Sequence, residues 1–257
     1  VSIGSLEAES SLWQLITGDL ALGVIELRNL EANIVRRETG ETNVTEAVAA
    51  EKPETAPAAE PAEPFEGLPA DLAMSFKIVD GRVTYREAGR DEPAVNESFD
   101  ATVALVPDES GHRIDVSVDS DEMVRARLAG RLTPTRFKLT EPAELRLTLP
   151  EALVGQLLAA AGEATTAVQT TGPITFNANL DTLNVPLSQS AASGLAIDAG
   201  FAISDGAVSG GEKLGRVAWS DLRGKVATTD LARRLSASIQ GTTRHTVAGE
   251  AHDGRID

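Results

Sequence analysis

The chain has 257 residues and a formal charge of −16, with 39 acidic side chains against 23 Lys and Arg. That balance argues against nucleic acid or anionic lipid headgroups as electrostatic partners, because both are held by basic patches and here Arg36-Arg37 and Arg233-Arg234 are only pairs. Cysteine is absent, which excludes disulfides, thiolate catalysis and thiolate metal sites, and fits an oxidising compartment.

Apolar residues make up 42% of the chain but aromatic residues only 4%, too little bulk for a thick core. A thin layered structure, or one with an unfilled apolar face, suits those values better. Composition divides the chain at about residues 44 and 70. In 1–44, SLWQLITG predicts a short helix ending near Gly18, and ALGVIEL and LEANIVRRE predict two short strands. Residues 45–70 are dominated by Ala, Glu and Pro. Repeated prolines remove backbone donors and the carboxylates repel, so this segment reads as a solvated, disordered linker.

From 71 to 257 nearly every segment alternates apolar and polar residues, the pattern of an antiparallel sheet with one wet face. LAMSFKI places Leu72, Met74, Phe76 and Ile78 on one side. Asp80-Gly81 then reads as a two-residue hairpin turn, which would set Ile78 opposite Val83 and Phe76 opposite Tyr85. RIDVSV contributes Ile114, Val116 and Val118, and VRARLAGRL contributes Val124, Ala126, Leu128 and Leu132. AELRLTL presents Leu145, Leu147 and Leu149. The stretch from Pro150 changes to helical spacing and predicts a helix near 150–162, placed to cover an open face or an end of the sheet.

Strands resume with Ile174, Phe176, Ala178 and Leu180, then Leu195, Ile197, Phe201 and Ile203, and later Leu235, Ala237 and Ile239. ISDGAV at 203–208 repeats IVDGRV at 78–83 and predicts a second hairpin pairing Ile203 with Val208. RVAWSDLRGKV at 216–226 resembles AVNESFDATV at 94–103 with one residue inserted, so a fixed order of elements occurs twice.

No pattern carries catalytic or metal chemistry. The DSDE run at 119–122 lacks the order and glycine of a calcium loop and reads as a turn. His112, His245 and His252 stand in polar, turn-like or strand-end settings without ligand spacing, which predicts surface positions. SGGEKLG, from Ser209, lacks the phosphate-loop consensus. Neither an enzyme nor a cofactor is expected.

The opening region, LWQLITGDLALGVIELRNLEANIVRRETGETNV, resembles the AsmA-like family of bacterial envelope proteins. The shared order is a leucine-rich turn with Leu15, a glycine at Gly18, a strand with Ile25, and a second strand from Leu30 to Ile34-Val35-Arg36. A Gly-x-x-Asn at Gly40 to Asn43 follows, and after a linker comes the strand pattern of Phe76 to Tyr85. The resemblance implies a mainly β fold, an elongated, curved antiparallel sheet with an apolar groove and one or two short helices. It implies a periplasmic location, an inner-membrane helix ahead of this segment, and phospholipid acyl chains as the cargo. Other segments of the same protein or further envelope proteins would be its partners.

Independently of the resemblance, an antiparallel sheet with one continuous apolar face must cover that face, either with acyl chains or with more protein. The residues expected to line the groove are Phe76, Ile78, Val83, Tyr85, Ile114, Val116, Leu145, Leu147, Ile174, Phe176, Phe201 and Ile203. The alternative is a structural or interaction β-sandwich, in an envelope or secreted protein, whose apolar faces pack on each other, including a part in outer-membrane protein assembly.

Overall fold

A computed structural model describes residues 2–9, 21–37, 42–43, 68–89, 91–151, 153–154, 169–187, 193–210, 215–247 and 249–256. In chain order its strands are β1 (Ser2–Glu9), β2 (Ala21–Arg36), β3 (Ala73–Glu87), β4 (Val95–Asp108), β5 (Gly111–Ser120), β6 (Val124–Thr133), β7 (Arg136–Leu139) and β8 (Ala143–Leu149). There follow β9 (Gln169–Thr170), β10 (Ile174–Pro186), β11 (Ala196–Ile203), β12 (Gly206–Gly210), β13 (Gly215–Asp230), β14 (Arg234–Val247) and β15 (Glu250–Ile256). All fifteen join one sheet, so among the described residues there is no second sheet to make a sandwich.

Several strands share a place. β7 and β8 both lie between β6 and β10, and β11 and β12 both pair with β13. β9 continues the line of β10 along β12. The sheet is therefore a meander about a dozen places wide, and at ~4.8 Å per place it spans roughly 53 Å across the strands.

One pair departs from the antiparallel expectation. β2 and β3 run parallel, with Ile25 beside Phe76, Leu27 beside Ile78 and Ile34 beside Tyr85. Parallel neighbours need a crossover of a dozen or more residues, which the segment between them supplies. The mainly β reading holds, with the sheet mixed at this one junction.

Neither Asp-Gly pair is a hairpin. β3 runs unbroken from Ala73 to Glu87 and pairs along its length with β4. A type I′ turn needs positive φ at both central residues, but here Asp80 has φ 53° and Gly81 is not in that region. Asp80 is instead the extra residue of a bulge, where Ile78 opposes Ala101 but Gly81 opposes Phe99. Its N–H donates to Asp100 Oδ1 at 2.9 Å. Likewise Ile203 opposes Leu222 and Val208 opposes Val217, so both sides of Asp205-Gly206 pair with β13 rather than with each other. Among the described residues, two-residue loops stand at Glu109-Ser110 and at Pro134-Thr135, which join β4 to β5 and β6 to β7.

ALGVIEL and LEANIVRRE likewise merge into one strand, β2, with Asn29 at φ 52° between them. In an unbroken strand Leu27 and Leu30 would face opposite ways. A left-handed residue between them restores Leu30, Ala32 and Ile34 to the side of Ile25 and Leu27. Asp80 does this for Val83 and Tyr85, and the irregularity between Leu180 and Thr182 does it for Leu183 on β10. Asn and Asp tolerate this backbone region better than other residues with a Cβ.

The core is thin. Among the described residues, the buried apolar ones are Val95, Leu139, Ala143, Val154 and Ala207, and no side chain is less than 2% exposed. Of the helix expected near 150–162, residues 151, 153 and 154 are described and helical, with Leu153 and Val154 N–H groups on the Pro150 carbonyl. The remainder of that helix, the helix ending near Gly18, and most of the 45–70 linker lie outside the described residues.

Candidate functional site

Register determines which expected lining residues meet. Direct partners across a sheet point to the same side, and one row runs Leu27, Ile78, Ala101, Val118, Ala126, Leu145, Ala178, Phe201, Gly224, Ile239 from β2 to β14. A second row takes Phe76, Val103, Val116 and Leu128. A third joins Val124, Leu147, Phe176, Ile203 and Leu222. Ile114 sits between Leu105 and Gly130, and Ile174 beside Leu149. Val83 and Tyr85 reach the same side beyond the Asp80 bulge, opposite Glu97 and Val95.

All twelve expected residues therefore share one face. They are neither deeply buried nor fully open, and Leu145 is the most exposed of them at 38%. At its centre the rings of Phe176 and Phe201 stack with centroids 5.9 Å apart and planes inclined by 25°. Val103 and Ile239, in the same rows, are 39% and 47% exposed. The substantial contacts between strands are all between sheet neighbours, so no described strand lies over this face.

Glycines shape the surface. The Phe201 ring lies over Gly224, and Phe99 lies over Gly81, where an added Cβ would come within 2.8 Å of the ring and of Ile78 Cγ2. Trp219 covers Gly206 in the same way, and its indole Nε1–H donates to the Ser204 carbonyl at 2.8 Å. An aromatic ring placed over a cross-strand glycine covers backbone that would otherwise be bare. Periodicity had marked Phe76 and Phe201, but it missed Ala101, Val103 and Leu105 of β4. These residues occupy alternate positions in FDATVAL.

The opposite face is wet. Lys225 pairs with Asp198 at 2.9 Å, and this hydrogen bond and charge raise its pKa above the usual lysine range. Arg125 pairs with Asp119 at 3.2 Å. A depression of about 720 Å³ opens on this side among Arg125, Glu144, Arg146, Asn177, Asp181 and Arg223.

His112 corrects the expectation of surface histidines: it begins β5 at 3% exposure, between Pro107 and Leu132, and its Nε2 has no hydrogen-bond partner. The 119–122 run spans the end of β5 and the turn after it, where Ser120 Oγ accepts from the Met123 and Val124 N–H groups at 3.0 and 2.7 Å. Among the described residues no cluster of His, Asp or Glu is arranged to hold a metal ion, and no helix is long and apolar enough to cross a membrane. The chain matches no protein-family model, no curated protein and no solved structure.

Proposed function

We propose that the protein is a section of an AsmA-like envelope protein, and that its apolar sheet face receives phospholipid acyl chains in the periplasm. One observation carries this reading. Apolar positions run in register across nearly the whole sheet, on a face that no described layer covers.

Such a face suits acyl chains because recognition there is non-directional. Each methylene removed from water contributes ~0.8 kcal/mol, so about ten methylenes lying on the sheet would supply roughly 8 kcal/mol before the cost of ordering the chain. The rows contain few polar groups, so saturated and unsaturated chains would be accepted alike. A sheet about 53 Å wide is close to one bilayer in thickness, so this section would act with others in line rather than bridge two membranes alone.

Native mass spectrometry of the purified protein tests the proposal. Co-purified or added phospholipid should be retained at defined stoichiometry, and Phe176→Asp should abolish retention while the circular dichroism spectrum is preserved. A lipid-free protein that is indifferent to added lipid would overturn it. Self-association through the same face, lost in Phe176→Asp, would instead assign the face to protein packing.

A further inference from the structure

The wet face carries a second ordered row. Arg146 on β8 is partnered in register by Asn177 on β10, which is followed by Ala202 on β11, Arg223 on β13 and Gln240 on β14. Beside them Arg125 is engaged by Asp119. Arg146, Asn177, Arg223 and Gln240 make no side-chain hydrogen bond or ion pair with another described residue. Two guanidinium and two amide groups thus line up with no carboxylate among them, in a protein with 16 more acidic than basic side chains.

We propose that this row binds an oxyanion of the phosphate class, in the depression of about 720 Å³ that it borders. Arg146 and Arg223 stand three strands apart, about 14 Å between Cα atoms, a gap that two extended side chains close from either side. Ala202 lies between them and leaves the floor clear. Each guanidinium offers a planar fork that matches two phosphate oxygens, while the Asn177 and Gln240 amides add single donors.

Two acids, Glu144 and Asp181, also border the depression, but Asp181 already accepts from Asn179 Nδ2 at 3.1 Å and Glu144 stands between Arg127 and Asn179 in the neighbouring row. The overall negative charge does not forbid the site, because it is screened beyond ~8 Å at physiological ionic strength. Direct hydrogen bonds act inside that distance. The site lies opposite the acyl-binding face and does not depend on it.

The test is titration of the isotope-labelled full chain with inorganic phosphate at constant ionic strength, read from the side-chain amide resonances of Asn177 and Gln240. Saturable shifts are expected, at least tenfold weaker in the Arg146→Gln/Arg223→Gln double variant and within twofold of wild type in Arg127→Gln. Shifts that do not saturate, that chloride reproduces, or that the double variant retains would overturn the proposal. Flotation with phosphatidylglycerol and phosphatidylcholine vesicles separates the sources. Capture by phosphatidylglycerol alone, lost in the double variant, assigns the phosphate to a lipid headgroup. Phosphate binding without vesicle capture assigns it to a soluble phosphate or phosphate ester.

Discussion

The backbone N–H of Asp221 donates to Asp205 Oδ1 at 2.9 Å. The same bond joins Asp80 N–H to Asp100 Oδ1 at the other end of the sheet, also at 2.9 Å. In each pair the donor has φ 53°, and an aromatic ring covers the nearby glycine, Phe99 on Gly81 and Trp219 on Gly206; the acceptor Asp100 is on β4, and the acceptor Asp205 is in the break between β11 and β12. The repeated sequences thus build the same device twice with the roles exchanged. In the first copy the Asp of Asp-Gly donates; in the second it accepts.

This device makes the left-handed residue sensitive to what replaces it. Asp80→Gly should fall within about 0.5 kcal/mol of wild type, because glycine adopts positive φ freely. Asp80→Val should cost about 1–2 kcal/mol, since a β-branched residue is strained there. Asp100→Ala should cost about 1 kcal/mol through loss of the acceptor. Urea denaturation midpoints decide, and equal stability of the Gly and Val variants would sink the account.

The glycines under aromatic rings should resist enlargement. In Gly81→Ala the new methyl would meet the Phe99 ring and Ile78 Cγ2 at 2.8 Å, and relief by moving those side chains should cost about 1–3 kcal/mol. Pairing the change with Phe99→Leu should recover part of the loss in a thermal melt. An additive pair of losses would show that the ring is not what the methyl meets.

His112 contributes burial without a hydrogen bond at Nε2. An unpartnered buried polar atom costs about 1–3 kcal/mol, so His112→Leu should be neutral or stabilising. His112→Asn, which keeps polarity and loses bulk, should be destabilising. Calorimetric melting of both variants checks this, and a destabilised Leu variant would reveal a polar partner essential to the site.

The edge of the sheet should loosen in acid. Arg244 on β14 holds the Asp253 carboxylate of β15 through a bond of 2.6 Å, which lowers the aspartate pKa from its ordinary 3.8 and raises that of the arginine. A depressed carboxylate pKa contributes stability above its unfolded value and loses it as pH falls through the folded one. Hydrogen exchange of β15 amides, corrected for intrinsic rate, should therefore accelerate below about pH 4. Asp253→Asn should exchange faster at neutral pH and lose that dependence. The pair is fully exposed, so the effect should stay local to β14 and β15.

Alternation of period two was enough to read the fold class and to choose the apolar face, because side chains on a strand have only two directions. It therefore selected Phe76, Leu145, Phe176 and Phe201 correctly as residues of one side. It could not order the strands or decide turn from bulge. Whether Asp80-Gly81 reverses the chain depends on Asp100, twenty residues away, capturing the Asp80 N–H, and on β4 being long enough to pair both halves of β3. The parallel seating of β2 against β3 is also non-local, since strands separated by a long crossover carry no mark of direction in their own residues. Partnership across the sheet, which local pattern does not encode, also aligned Arg146 with Arg223 and set Gly224 beneath Phe201.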